Sequence, residues 1–196
     1  MNVKRKTVAL VNVCTQNDFI DVNSLVYIDG SEKYLEAWEF MTDYAKKRGL
    51  KTLNFMRVNQ NDFCVQGSLG VQFIPEVNKY MTENVVILPQ ERIDYQTIQT
   101  KGKDKNIIVH FNERPFNNEN ISTLLEILKI DVVYLYGLTV EDELNDIVNK
   151  LVKRKIEVRV VSDAIVEKDP EKFSDIINNW VSHGVKLVKT LGLSIK

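Results

Sequence analysis

Three residues able to do nucleophilic or acid–base chemistry stand at the ends of apolar runs. Cys14 closes TVALVNVC, His110 closes NIIVH, and Glu143 belongs to the acidic group Glu141, Asp142, Glu143 that follows DVVYLYGLT. A thiol, an imidazole and a carboxylate are the components of a cysteine-nucleophile triad: the ring takes the thiol proton and the acid orients the ring. An imidazolium beside Cys14 would draw its pKa from about 8.5 into the range of roughly 3.5–7.5. Each residue also has a structural role open to it. Free cysteine is among the most buried residue types, and a core histidine is satisfied by a backbone carbonyl. Acids in a helix's first turn are favoured by roughly 0.3–1 kcal/mol each, and Thr139 with Asp142 makes a T-x-x-D capping pattern.

The elements that must position these residues alternate. Apolar β-rich runs recur at 7–13, 51–56, 106–111, 131–137, 156–164 and 185–190, with helical spacing at 31–49, 117–130, 140–155 and 169–184. Strands apolar on both faces, alternating with helices, predict a doubly wound α/β domain, three layers around a mainly parallel six-stranded sheet. Gly49 and Gly184 mark two helix ends. Between 57 and 105 the pattern weakens: FCVQGSLGVQF reads as a loop into a helix, NVVILP as a candidate further strand, and DYQTIQTKGKDKN is undetermined. In open parallel sheets ligands sit beyond the carboxyl ends of the strands. That edge is where Cys14, His110 and the acidic turn fall.

Composition narrows the partners. The 196 residues are 44% hydrophobic and 27% charged with a formal net charge of −1, and the cations are dispersed, which excludes a nucleic-acid footprint or a basic membrane patch. A small-molecule ligand or substrate fits better. Two cysteines in unlike contexts form no disulfide framework, the seven-residue apolar start is too short for a signal sequence, and no run reaches the length of a membrane span, so a cytoplasmic location is expected. No HxH, DxH or HxxxH spacing occurs, and no phosphate-binding glycine motif beyond the isolated QGSLG, so neither a metal nor a nucleotide cofactor is expected.

Four segments, in order, resemble the isochorismatase-like cysteine hydrolases, the superfamily of nicotinamidases and isochorismatases. VALVNVCTQNDF (8–19) is similar to the opening strand and D-x-Q-N-D-F motif, and FCVQGSLGVQFIPEV (63–77) to the H-C-V-x-G-T-x-G segment. IIVHFNERPF (107–116) resembles the strand carrying the catalytic lysine, and YLYGLTVEDELNDIVNKLVKRKIEVRVVSDA (134–164) the V-x-G-x-x-T-D-x-C-V stretch with its helix and next strand. The resemblance spans nearly the whole chain. It implies one domain over 1–196 with strand order 3-2-1-4-5-6.

By the same resemblance the Asp-Lys-Cys triad positions hold Cys14, His110 and Glu143. The oxyanion-hole amides would be those of Thr139 and Glu143, and the pocket would draw on Gln16, Asp18, Phe19, Phe116 and Leu138. The metal-binding D-x-H is replaced by NFMRV (54–58), and Phe63 stands where a histidine precedes Cys64. Two functions follow. One is a hydrolase of a small amide or related C–N bond with a permuted Cys14–His110–Glu143 triad. The other is an inactive relative that binds a metabolite, regulates, or assembles, as a homo-oligomer or with an active relative.

Overall fold

The chain's apolar runs form one sheet whose central strands are buried on both sides. In β1 (Val8–Val13) five of six residues are buried, and in β5 (Val132–Leu138) six of seven. The computed structural model describes residues 6–81, 85–88, 95–101 and 106–194. It adds β2 (Lys51–Arg57), β3 (Val85–Leu88), β4 (Asn106–Phe111), β6 (Glu157–Val166) and β7 (Lys186–Val188). The order is β3-β4-β2-β1-β5-β6-β7, with every pairing parallel.

The six expected strands thus lie in the expected 3-2-1-4-5-6 order, and NVVILP adds a seventh at one edge. Its short length and half-exposed Val85 and Ile87 left it without the doubly apolar signature of the central strands. Asn84 and Pro89 lie outside the described residues, as do Asp94 and residues 102–105 of the polar tract; residues 95–101 of that tract form a helix.

Helices cover both faces; in chain order they begin with α1 (Leu35–Arg48), α2 (Pro75–Asn78), α3 (Tyr95–Lys101), α4 (Asn120–Leu128) and α5 (Asn145–Lys153). Helix α1 sets Tyr44 edge-on to Tyr134 at 6.4 Å and anchors Trp38 by its indole N–H to the Ala164 carbonyl at 2.9 Å. The opposite face receives Phe116, which stacks on Phe55 at 6.3 Å and itself lies under Arg154, the residue after α5. A fully buried Trp side chain contributes roughly 1.5–3 kcal/mol or more by area, so Trp38 is a principal clamp between α1 and the sheet. Among the described residues, no helix is long and apolar enough to cross a membrane.

Where β1 and β5 end, their backbones nearly touch. A Cβ on Gly137, whose φ is +118°, would lie 2.0 Å from the Val13 carbonyl oxygen, so only glycine fits. This approach brings the end of β1 against the turn that carries the acids. Gly137→Ala is expected to cost about 3 kcal/mol or more from backbone strain plus overpacking. Gly30→Ala, at φ +70° with nothing within 4 Å, should cost only about 1–2 kcal/mol. Urea denaturation of both variants tests the difference; equal losses would mean that the contact with Val13 relaxes freely.

Candidate functional site

The carboxyl ends of five strands surround a cleft of about 540 Å³, a size suited to a small organic ligand. Phe19 follows β1, Arg57 ends β2, Arg114 and Pro115 follow β4, Glu143 and Asp146 follow β5, and Lys168 follows β6. Phe19 and Phe63 meet edge to face at 6.4 Å and give the cleft an aromatic wall.

Arg57 is the residue the sequence did not single out. It stands alone at the end of an apolar strand, and its partner lies 86 positions away, so no local pattern announces it. Its Nη2 donates to Glu143 Oε1 at 2.5 Å, Nη1 donates to the Asn112 carbonyl at 3.1 Å, and the guanidinium lies over the rings of Phe111 (5.3 Å) and Phe63 (5.9 Å). The pair is largely buried, with the Arg57 side chain 18% and the Glu143 side chain 7% exposed. The other carboxylate oxygen, Oε2, accepts from the Thr139 amide at 3.3 Å and lies 3.1 Å from the Thr139 hydroxyl. Glu143 therefore occupies a cradle of three donors.

The turn that delivers Glu143 begins after a cis Leu138–Thr139 peptide and runs as one π-helical turn, Val140–Leu144, into α5. The T-x-x-D pattern does not cap it as expected. The Thr139 hydroxyl makes no bond to the helix backbone and instead faces Asp142 Oδ2 at 3.2 Å and Glu143 Oε2, because hydrogen bonds to a carboxylate are the stronger ones. Glu141 reaches across to accept from the amides of Lys168 (3.1 Å) and Asp169 (3.0 Å), and Lys168 pairs with Asp142 at 3.2 Å. These contacts hold the acidic turn against the start of α6 (Pro170–Ser182), while Trp180 of α6 donates to Asn145 at 2.9 Å.

The other residues singled out in the sequence separate into those on the cleft and those beneath it. Cys14 is fully buried, and burial pushes its thiol well above the ordinary value; the Glu143 carboxylate adds to this and Arg57 opposes it. Cys64 is also buried, pushed up to about 12 by burial and then by Asp18. His110 pairs in register with Met56, while Phe111 pairs with Arg57. Strand alternation thus turns His110 toward the α1 face, away from the guanidinium. Burial alone lowers its pKa, and no hydrogen bond among the described residues joins its ring to Cys14 or Glu143.

Gln16 is a buried clamp. Its amide donates to the carbonyls of Arg57 (2.8 Å) and Val71 (2.7 Å) and accepts from the Arg57 amide at 2.8 Å. Asp18 accepts from the Cys64 amide at 2.5 Å. Phe19 lines the cleft, whereas Leu138 is buried in the core and Phe116 packs on Phe55.

No protein-family model and no curated protein matches the sequence, but solved structures match its fold. An isochorismatase family protein from Desulfovibrio vulgaris aligns with a TM-score of 0.77 at 16% identity, covering 97% of each chain. The chain has the isochorismatase-like fold. The same fold relates it to the pyrazinamidase of Pyrococcus horikoshii in complex with zinc (TM-score 0.73, 18% identity, 93% of this chain and 99% of that one). The N-carbamoylsarcosine amidase of Thermoplasma acidophilum is a further likeness (0.69, 17%, 95% and 97%).

The segment that the resemblance sets in place of a metal-binding D-x-H does not fit a metal ion. NFMRV offers no carboxylate or imidazole, and among the described residues no three His, Cys, Asp or Glu side chains are grouped to hold one.

Removing one partner of the Arg57–Glu143 pair leaves an uncompensated buried charge. Glu143→Ala is expected to cost about 3 kcal/mol or more, whereas the double replacement Arg57→Met with Glu143→Leu should stay within about 2 kcal/mol of the parent. Chemical denaturation of the three proteins decides this; a single-variant loss below that of the double variant would show that the pair carries no mutual dependence.

Proposed function

We propose that this chain is a non-hydrolytic relative of the isochorismatase-like enzymes, and that its cleft binds a small organic molecule. The observation that carries this reading is the placement of Glu143. Its carboxylate is spent on Arg57 and Thr139, and by the resemblance of the GLTVEDE turn it holds the position of those enzymes' nucleophile. A carboxylate against the Thr139 amide would repel an oxyanion forming there, and loss of one such donor alone costs roughly 2.7–4 kcal/mol of barrier.

The second reading, a small-amide hydrolase running on a permuted Cys14–His110–Glu143 triad, draws support from fold relatives that include an amidase and a pyrazinamidase. It requires a thiolate at Cys14. Burial and the neighbouring carboxylate both disfavour that charge, and the thiolate is the reacting species. The cleft, by contrast, keeps features a ligand would use: an aromatic wall, and a boundary of paired charges fixed by Arg57–Glu143 and Lys168–Asp142. Assembly with a second copy, or with an active relative, belongs to the same proposal. Light scattering returning a lone monomer, with no partner co-purifying, would remove it.

Ammonia release from nicotinamide, pyrazinamide and an N-carbamoyl amino acid tests catalysis directly. No turnover above a Cys14→Ser control is expected, and iodoacetamide should label Cys14 no faster than the protein unfolds at any pH from 6 to 10. Steady-state release that vanishes in Cys14→Ser, with rapid labelling of that thiol in the folded protein, would establish the permuted hydrolase instead.

A further inference from the structure

We infer that the Glu143 side chain is a tethered occupant of an anion site, and that it keeps small carboxylates out of the cleft. The site is built from two elements remote in sequence. Arg57 comes from the end of β2, and Thr139 supplies its amide and hydroxyl from the turn after β5. One carboxylate oxygen takes the guanidinium and the other takes the Thr139 donors, the two-ended contact that a free carboxylate would make.

Three features separate this site from an ordinary surface ion pair. The Glu143 side chain is more than nine-tenths buried. Phe63 and Phe111 flank the guanidinium and shield it from water. Arg57 Nε is buried with no hydrogen-bond partner, so the guanidinium has donor capacity that Glu143 does not use. The site also opens on the cleft, since Arg57 and Glu143 both line it. A cavity vacated by truncating Glu143 would be continuous with a path from solvent.

When Glu143 is cut back, Arg57 keeps no bonded carboxylate among the described residues; Glu113 and Asp146 also line the cleft but neither side chain is paired with it. Asp142 is engaged with Lys168, and Glu141 with the amides of Lys168 and Asp169. An exogenous carboxylate is therefore the group whose size and charge match the vacated space. The inference rests on the reading of Glu143 as a group that binds rather than reacts.

The test is a formate and acetate titration of wild type, Glu143→Ala and Glu143→Ala with Arg57→Met, read by thermal denaturation and calorimetry, with chloride at matched ionic strength as the control. The wild type should show no shift beyond that in chloride. Glu143→Ala should gain a saturable stabilisation by formate at least tenfold stronger than any in the wild type, and the added Arg57→Met should abolish it.

Should Glu143→Ala not fold in chloride, refolding from urea across a formate series gives the same reading, with recovery rising as formate rises. No response to formate in either format, equal binding by the wild type, or a response that survives Arg57→Met would each overturn the inference. Amide turnover by the wild type would instead count against the functional proposal, whatever the formate series gives.

Discussion

A guanidinium at the end of β2 has to be neutralised where it stands, because Gln16 fixes the backbone that carries it and aromatic rings close around it. Gln16 donates to the Arg57 carbonyl and accepts from its amide, and Phe63 and Phe111 lie within 6 Å of the charge. At an effective dielectric near 20, opposite charges about 4 Å apart attract by roughly 4 kcal/mol. The only carboxylate bonded to the Arg57 side chain among the described residues is Glu143. That pair fixes the start of α5 relative to β2, across the intervening β1. It also determines the surroundings of Cys14, whose thiol is disfavoured as thiolate by burial first and by Glu143 second.

The remaining charges of the cleft follow the same logic at lower stakes. Lys168 and Asp142 are about half exposed, with side chains 47% and 56% accessible, so their pairing is screened and contributes at most about 1 kcal/mol. Glu141 does more by accepting two backbone amides at the entry to α6, where an anion also complements the helix dipole. Thus the three adjacent acids have three separate uses: one joins helices, one lies at the surface, and one is buried against a cation. Their adjacency follows from the turn's geometry, which sends successive side chains in different directions, and does not make them a single charged cluster.

Much of the fold was legible because strands buried on both faces leave unbroken apolar runs, and the alternation with helices left one broad architecture. Even the order 3-2-1-4-5-6 survived, displaced only by an edge strand whose Val85 and Ile87 are half exposed and whose pattern is therefore ambiguous. The site was legible only in part. Glu143 stood out through the resemblance of the GLTVEDE turn. Arg57 did not, since a lone arginine after an apolar run looks like any strand end and its partner is visible only in three dimensions. The facing of His110 was hidden for a related reason: one step of register separates it from Phe111, and that step turns a side chain to the other face of a strand.

The geometry around the turn also leaves its shape independent of the side chain at position 143. The approach of Gly137 to Val13 and the reach of Glu141 to the start of α6 are independent of what Glu143 carries, so the turn is held from both sides by contacts that involve no reacting group. What does depend on position 143 is the fate of Arg57. A small neutral side chain there would leave the guanidinium buried and unpaired, and a buried charge without a partner is among the most costly defects a core can contain. The two positions therefore constrain each other more tightly than either is constrained by the backbone. A carboxylate at 143 is the residue type that an arginine at 57 demands.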